Sequence, residues 1–430
     1  ILDVRLSVLA TAPLRRTWVS RTTRGSRGFE GFTDHRGNSL LGHVPIPVLH
    51  FSNEMIRGGA EEHMLLLLKM LDRGRFRLHL VCPAELAERL RPDLPEDVEV
   101  IPLALHTPAD LRSAAQLAHI LRRRRIGILH SHMFHASLLA SPIGWLCRVP
   151  VIVETPHVRE AWRRGWITSR YFVDRLVGRF VDHYIAVSEA NARYLTEQKR
   201  LSARKIAVIE NGSDLRRFDP NRHAPAGMKE ALGFGATDTI LVVAARLEPQ
   251  KGHQVLLDAL PAITTRFPST RVVFVGDGVL REDLERRVAA GGLGKSVRFV
   301  GYQSNIPDWL ALADFTVLPS FYEGLPLAAI ESLAAGRPVV ATAVDGTPEV
   351  VVNEKTGLTV PPGDPARLAD AVCRLLGDPG LRLSMGVSGR QWALDHFSLD
   401  RQIHRTEEFY LAAWREHCTA TRRHNEIGTS

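Results

Sequence analysis

Residues 315–350 read FTVLPSFYEGLPLAAIESLAAGRPVVATAVDGTPEV. Phe315 to Leu318 is a short apolar run of the kind that forms a buried strand. A loop with Pro319, Ser320, Tyr322 and Glu323 follows, and Leu325 to Ala335 has helical composition. Gly336 stops that helix, and Pro338 prevents it from resuming. Val339 to Ala341 reads as a second buried strand, with a turn at Asp345-Gly346. A strand, loop, helix and strand in this order predict a parallel sheet with its ligand at the carboxyl ends of the strands. Glu323 stands in the loop and Glu331 in an otherwise apolar helix. In one continuous helix they would lie roughly 12 Å apart. A loop ahead of the helix brings them closer to one ligand, although Glu331 also fits a plain solvated helix position.

The same grammar extends in both directions. Upstream, strands are predicted at Ile46–Phe51, Leu78–Cys82, Val98–Ile101, Ile126–His130, Val151–Glu154, Tyr184–Val187 and Ile206–Glu210, with helices between most of them. The polar segment from Leu215 to Gly235 reads as an interdomain linker. Beyond it, Thr239–Ala244 opens a second series of strands and helices, ending in amphipathic segments over 381–395 and 399–417. The expected organisation is an arm over 1–44, a first domain over 45–220, a second over 221–395 and a last helix over 396–420. The arm is rich in arginine and lacks helical periodicity after Leu9, so it is read as disordered or as a wrongly assigned start.

Composition sets limits. The chain has 430 residues, a 45% hydrophobic share and a formal charge of +8. That is enough apolar residue for large cores, and the charge suits anionic partners. The four cysteines are far apart and form no CxxC pair, which predicts neither a disulfide framework nor a zinc site and fits a reducing compartment. No apolar run reaches the ~18–20 residues that span a bilayer. Arginines among Trp162, Trp166, Tyr171 and Phe172 fit a helix on an anionic membrane surface, and equally a solvated basic face with its aromatics packed inward.

Several residues could carry chemistry. Arg246 and Lys251 flank a loop between a strand end and a helix start, where two cations suit a diphosphate. Gly58-Gly59 precedes a helix, where a phosphate could approach the backbone amides of its first turn. His130 and His132 share one face of a strand, but no third ligand follows at metal spacing, and no DxD motif is present to hold a metal on a diphosphate. No metal and no cofactor are therefore expected.

With these residues in view, the chain resembles the retaining glycosyltransferases of family 4, which have the GT-B fold. The resemblance runs through RGGAEEHMLLLL, ILHSHMFHASLLA, VDHYIAVSEA, KIAVIENGSDLRRF, AARLEPQKGHQVLLDAL, VVFVGDGVLREDLE, VRFVGY and SFYEGLPLAAIESLAAGRPVVATAVDGTPEVV. It implies an α/β fold of two doubly wound, Rossmann-like domains facing across a cleft. It also implies that Arg246 and Lys251 hold the diphosphate of a nucleotide-sugar donor, approached by Gly58 and Gly59. Glu331 would bind the ribose hydroxyls, Glu323 the transferred sugar beside the Gly324 and Leu325 amides, and His132 the same sugar. Backbone near Gly301 and Tyr302 would read the base. The expected reaction is transfer from a UDP- or GDP-sugar to a lipid-linked or polysaccharide acceptor, in the cytoplasm or at the inner face of a membrane. A nucleotide-sugar epimerase of this architecture, or a non-catalytic sugar-nucleotide binder, would share the motifs. A nucleic-acid partner is not expected, because the arginines are spread along the chain.

Overall fold

The computed structural model describes residues 44–55, 58–105, 110–159 and 171–427. The arm over 1–43 and most of the aromatic–arginine segment, 160–170, lie outside the described residues.

Two all-parallel sheets carry the chain. The first has seven strands: β1 (Ile46–Phe51), β2 (Phe76–Cys82), β3 (Glu99–Pro102), β4 (Ile128–His132), β5 (Val151–Thr155), β6 (His183–Ala186) and β7 (Ile206–Val208). Their spatial order is β3-β2-β1-β4-β5-β6-β7. The second has β8 (Thr239–Ala244), β9 (Thr270–Val275), β10 (Val297–Phe299), β11 (Phe315–Leu318), β12 (Val339–Thr342) and β13 (Gly357–Val360), in the order β10-β9-β8-β11-β12-β13. Every strand pair is parallel. The central strands of the second sheet, TILVVA and FTVL, are almost continuous apolar runs, as expected for strands of a parallel sheet buried on both faces. Val242 pairs with Thr316 and Val273, and Val242 and Val273 are both buried completely.

Each sheet reverses its winding direction once. In the first the reversal lies between β1 and β4, in the second between β8 and β11. At such points the loops leaving two neighbouring strands part company and open a crevice at the carboxyl edge. The loops that do so here are those after β1, β4, β8 and β11.

The structure refines several boundaries. The helix after β11 runs Leu327–Ala334 rather than from Leu325, because Pro326 is its N-cap and keeps Leu325 in the loop. The segment from Leu215 to Gly235 is more than a linker. Leu215 and Phe218 are buried among residues of the second half, and a short helix spans Met228–Ala231. The final helix, Leu399–Ile427, continues past the expected end. Its Leu399, Ile403, Tyr410 and Ala413 pack into the core of the first sheet, and Glu407 accepts the Asp72 amide at 2.8 Å.

Candidate active site

Most of the candidate residues fall at the four switch-point strand ends; Glu331 lies in the helix Leu327–Ala334, and Gly301 and Tyr302 follow the edge strand β10. Gly58 and Gly59 follow β1, and His132 ends β4. Arg246 and Lys251 follow β8, while Glu323, Gly324 and Leu325 follow β11.

The loops after β8 and β11 are tied to each other. The Phe321 amide donates to the Gln250 carbonyl at 2.8 Å, and Gln250 Nε2 donates to the Tyr322 carbonyl at 2.9 Å. Gly252 makes this possible: its φ is +63°, and a Cβ there would fall 2.0 Å from the Pro319 carbonyl oxygen. Lys251 Nζ then reaches Glu323 Oε1 at 2.7 Å, and Ser320 Oγ donates to the same oxygen at 2.7 Å. The Glu323 amide is held by Asp345 Oδ2 at 3.0 Å. Arg246 is more open, and its Nη1 lies 2.6 Å from Glu248 Oε1.

The two halves meet at the same place. A Cβ on Gly58 would stand 3.7 Å from Arg246 Cζ, so the glycine loop of the first half faces the arginine of the second. The Gly58 amide donates to Glu61 Oε2 at 3.0 Å. Burial pushes the Glu61 carboxyl up to about 7, and its Oε1 has no partner. Ser188 Oγ donates to the Gly324 carbonyl at 3.2 Å, and the Glu189 and Ala190 amides donate to the Glu349 carboxylate at 2.9 and 2.7 Å. A negative group at the first turn of a helix suits the exposed N–H groups there.

Glu331 is half-buried in the second turn of its helix, and Ser213 Oγ donates to its Oε1 at 3.2 Å. Burial raises its carboxyl to about 7, with the Ser213 bond and Arg217 acting the other way. Leu325 is buried in the core, so only its backbone is available to a ligand. Gly301 pairs with Gly276, whose amide donates to the Gly301 carbonyl at 2.9 Å. The Tyr302 side chain is exposed. This backbone lies beside the Arg246 loop, since a Cβ on Gly276 would fall 2.1 Å from the Ala245 carbonyl oxygen.

His132 is completely surrounded. His50, His63, His130, His132 and His157 are all buried, and their rings pack together at the carboxyl edge of the first sheet. Burial, reinforced at most of them by the other rings, holds His50 down at about 3, His63 at about 4, and the other three well below the usual range. His130 is fully engaged by Tyr410 Oη at 2.6 Å and Thr155 Oγ1 at 2.7 Å. Local spacing offers His132 no third ligand, but His50 comes from β1, His63 from the helix Gly59–Met70, and His157 from beyond β5. None of these three is marked in the sequence, because they converge only when the sheet forms. Glu61 carried a weak signal, as the acidic third residue after a helix-opening glycine.

Two parallel, doubly wound sheets with their switch-point loops facing each other are the fold of the GT-B glycosyltransferases. The glycosyltransferase family 4 model matches residues 57–217, and the glycosyl transferases group 1 model matches residues 238–378. A GDP-mannose-dependent phosphatidylinositol monomannoside mannosyltransferase of Mycolicibacterium smegmatis is 33% identical over 271 residues, covering 60% of this chain and 69% of the relative. An Escherichia coli galactosyltransferase acting on GlcNAc-diphosphoundecaprenol is 24% identical over 385 residues, 86% of this chain and 97% of the relative. Among solved structures, Anabaena HepE in complex with UDP-glucose superposes with a TM-score of 0.75 at 21% identity, covering 86% of this chain and all (100%) of that one. The chain belongs to the group 1, family 4 glycosyltransferases.

Proposed function

We propose that the protein transfers a sugar, with retention of anomeric configuration, from a UDP- or GDP-sugar to a lipid-linked or polysaccharide acceptor. The observation that carries this reading is the approach of Arg246, on the loop that also carries Lys251, the partner of Glu323, to the Gly58 loop at the facing switch point. A nucleoside diphosphate fits there by charge: Arg246 and Lys251 supply cations, and the Gly58–Gly59 turn leaves room for a phosphate to approach the helix start. Glu331 takes the ribose hydroxyls, Glu323 and the Gly324 and Leu325 amides take the sugar, and the Gly301–Tyr302 backbone takes the base. His132 is proposed to serve the sugar as well, because its neighbour His157 meets the Gly324 loop through its carbonyl.

In the reaction the bond from the anomeric carbon to the diphosphate oxygen breaks, and a bond to the acceptor oxygen forms on the same face. The acceptor proton passes to a leaving phosphate oxygen. Negative charge grows on the diphosphate, and Arg246, Lys251 and the helix-start amides stabilise it without a resident metal. Two relatives with lipid acceptors in their names support the acceptor class. Among the described residues no helix is long and apolar enough to cross a membrane. Contact with such an acceptor would instead be peripheral, on the cytoplasmic side, through an exposed patch of Trp145, Leu146, Phe172 and Leu176 flanked by Arg148 and Arg179.

A thermal-shift screen of UDP, GDP and their sugar conjugates tests the donor class. A shift with one base that disappears in Glu331→Ala supports the assignment; equal shifts in both proteins refute the ribose role. Sugar transfer to a lipid-linked acceptor, against conversion of the donor with no acceptor present, separates a transferase from an epimerase.

A further inference from the structure

We propose that His63, His132 and His157 form a binding site for a divalent transition-metal ion of the zinc class. Their ligand nitrogens, one per ring, all lie within 4.8 Å of one another, and the residues are 3%, 1% and 5% exposed. Three imidazoles with a fourth position left open is a donor set that zinc accepts.

The hydrogen bonding favours these three rings over the neighbouring trio. His50, His130 and His132 are equally close, but both nitrogens of His130 are already taken by Tyr410 and Thr155. An ion there would have to break one of those bonds. His63 Nδ1, by contrast, is buried with no partner. His132 Nδ1 and His157 Nε2 stand 3.3 Å apart. That is long for a hydrogen bond between two rings, and it matches the edge of a tetrahedron with metal–nitrogen distances of about 2.0–2.1 Å, which is about 3.3–3.4 Å.

The outer contacts fit as well. If His132 offers Nδ1 to the ion, its Nε2 carries the proton and donates to His50 Nδ1, 3.0 Å away. A ligating histidine commonly gives its second N–H to such a partner, which fixes its tautomer and ring plane.

The site shares one ligand, His132, with the proposed donor-sugar contact, while His63 and His157 have no assigned part in glycosyl transfer. Where His132 also serves the donor sugar, a bound ion withdraws that ring and inhibits.

The test is a titration of the chelator-treated full-length protein with Co²⁺ in the absence of nucleotide. The expected result is visible absorption of a nitrogen-rich, low-coordinate Co²⁺ site at one ion per chain, abolished by excess Zn²⁺. His63→Ala and His157→Ala should lose the signal, and His50→Ala should weaken binding by about 10–100-fold as an outer-contact loss. His119→Ala, on the exposed surface, should bind like the wild type. Circular dichroism identifies any variant that fails to fold, and His63→Gln replaces His63→Ala in that case. Absence of the Co²⁺ signal in the wild type, or its persistence in folded His63 and His157 variants, overturns the site.

Discussion

Lys251 Nζ stands 2.7 Å from Glu323 Oε1, joining the loops after β8 and β11 at the point where the second sheet reverses. The glutamate is nearly buried, at 5% side-chain exposure, against 18% for the lysine. The pair therefore ties the two loops together and, in the proposed reading, holds an ammonium where the diphosphate binds. Lys251→Ala should lower kcat by about 10²–10³-fold, the usual cost of one group that stabilises a growing oxyanion. Ser320 continues to satisfy Glu323 Oε1, so the variant should fold. Circular dichroism and transfer kinetics on the same sample decide it. Near-wild-type turnover by a folded variant would remove Lys251 from the site.

Glu331 gives a pH dependence whose sign follows from its burial. Its carboxyl sits at about 7 in the fold, against 4.5 ordinarily. Between those values the folded state binds more protons than the unfolded one. The stability this confers is complete below pH 4.5 and is lost as pH rises through 7. The effect is on the order of 1–3 kcal/mol once partial exposure is allowed for. Glu331→Gln should therefore gain melting temperature relative to wild type as pH goes from 5 to 8. A gap between the two melting curves that stays constant over that range would contradict the buried-carboxyl assignment.

The same group should set donor affinity in the opposite direction. A ribose hydroxyl donates best to an ionised carboxylate, which is roughly twice as strong an acceptor as a neutral one. Binding of an intact nucleotide-sugar, whose diphosphate does not titrate in this range, should tighten by up to about tenfold from pH 6 to 8. Calorimetry with Glu331→Gln should give a flat profile. A wild-type profile that is also flat would place the ribose elsewhere.

What the sequence disclosed depended on how local each feature was. β8 and β11 are continuous apolar runs bounded by turns, and the structure places them at Thr239–Ala244 and Phe315–Leu318, the expected bounds. The loop residues Arg246, Lys251 and Glu323 were visible because short segments confine each of them to a strand end. The pairing of Lys251 with Glu323 spans 72 residues, and that of His50 with His132 spans 82, so neither has a periodicity to reveal it. A lone histidine in a strand looks alike whether it packs in a core or joins four others. Only the order β2-β1-β4-β5, which sets the ends of three histidine-bearing strands or loops side by side, makes the cluster.

Gly324 is required by close approach. A Cβ there would fall 1.8 Å from the His157 carbonyl oxygen, which is backbone and cannot rotate away. Its own carbonyl is held by Ser188 Oγ, so the loop has little room to retreat. Gly324→Ala should push the two halves apart where this loop meets His157 and Ser188, while leaving each core intact. The expected result is a larger radius of gyration by solution scattering and at least a tenfold loss of kcat/KM, in line with ~10²-fold costs for ångström-scale misplacement. An unchanged radius with full activity would show that the halves do not need this contact.

Trp145, Leu146, Phe172 and Leu176 are 48%, 66%, 61% and 44% exposed, and the Trp145 ring meets Phe180 at 5.3 Å, linking the patch to its own domain. Exposed apolar side chains flanked by Arg148 and Arg179 suit a surface that is apolar beneath an anionic layer. Sedimentation with vesicles of mixed neutral and anionic phospholipid should carry the protein down, and raising the salt should release part of it through screening of the arginines. The double variant Leu146→Ser, Phe172→Ser removes buried-in-lipid area without touching the crevice, so it should lose vesicle binding and keep nucleotide affinity. If the variant sediments as fully as wild type, the patch is not the membrane contact. If wild type sediments only with anionic vesicles and the variant matches it at low salt, arginine charge alone carries the attachment.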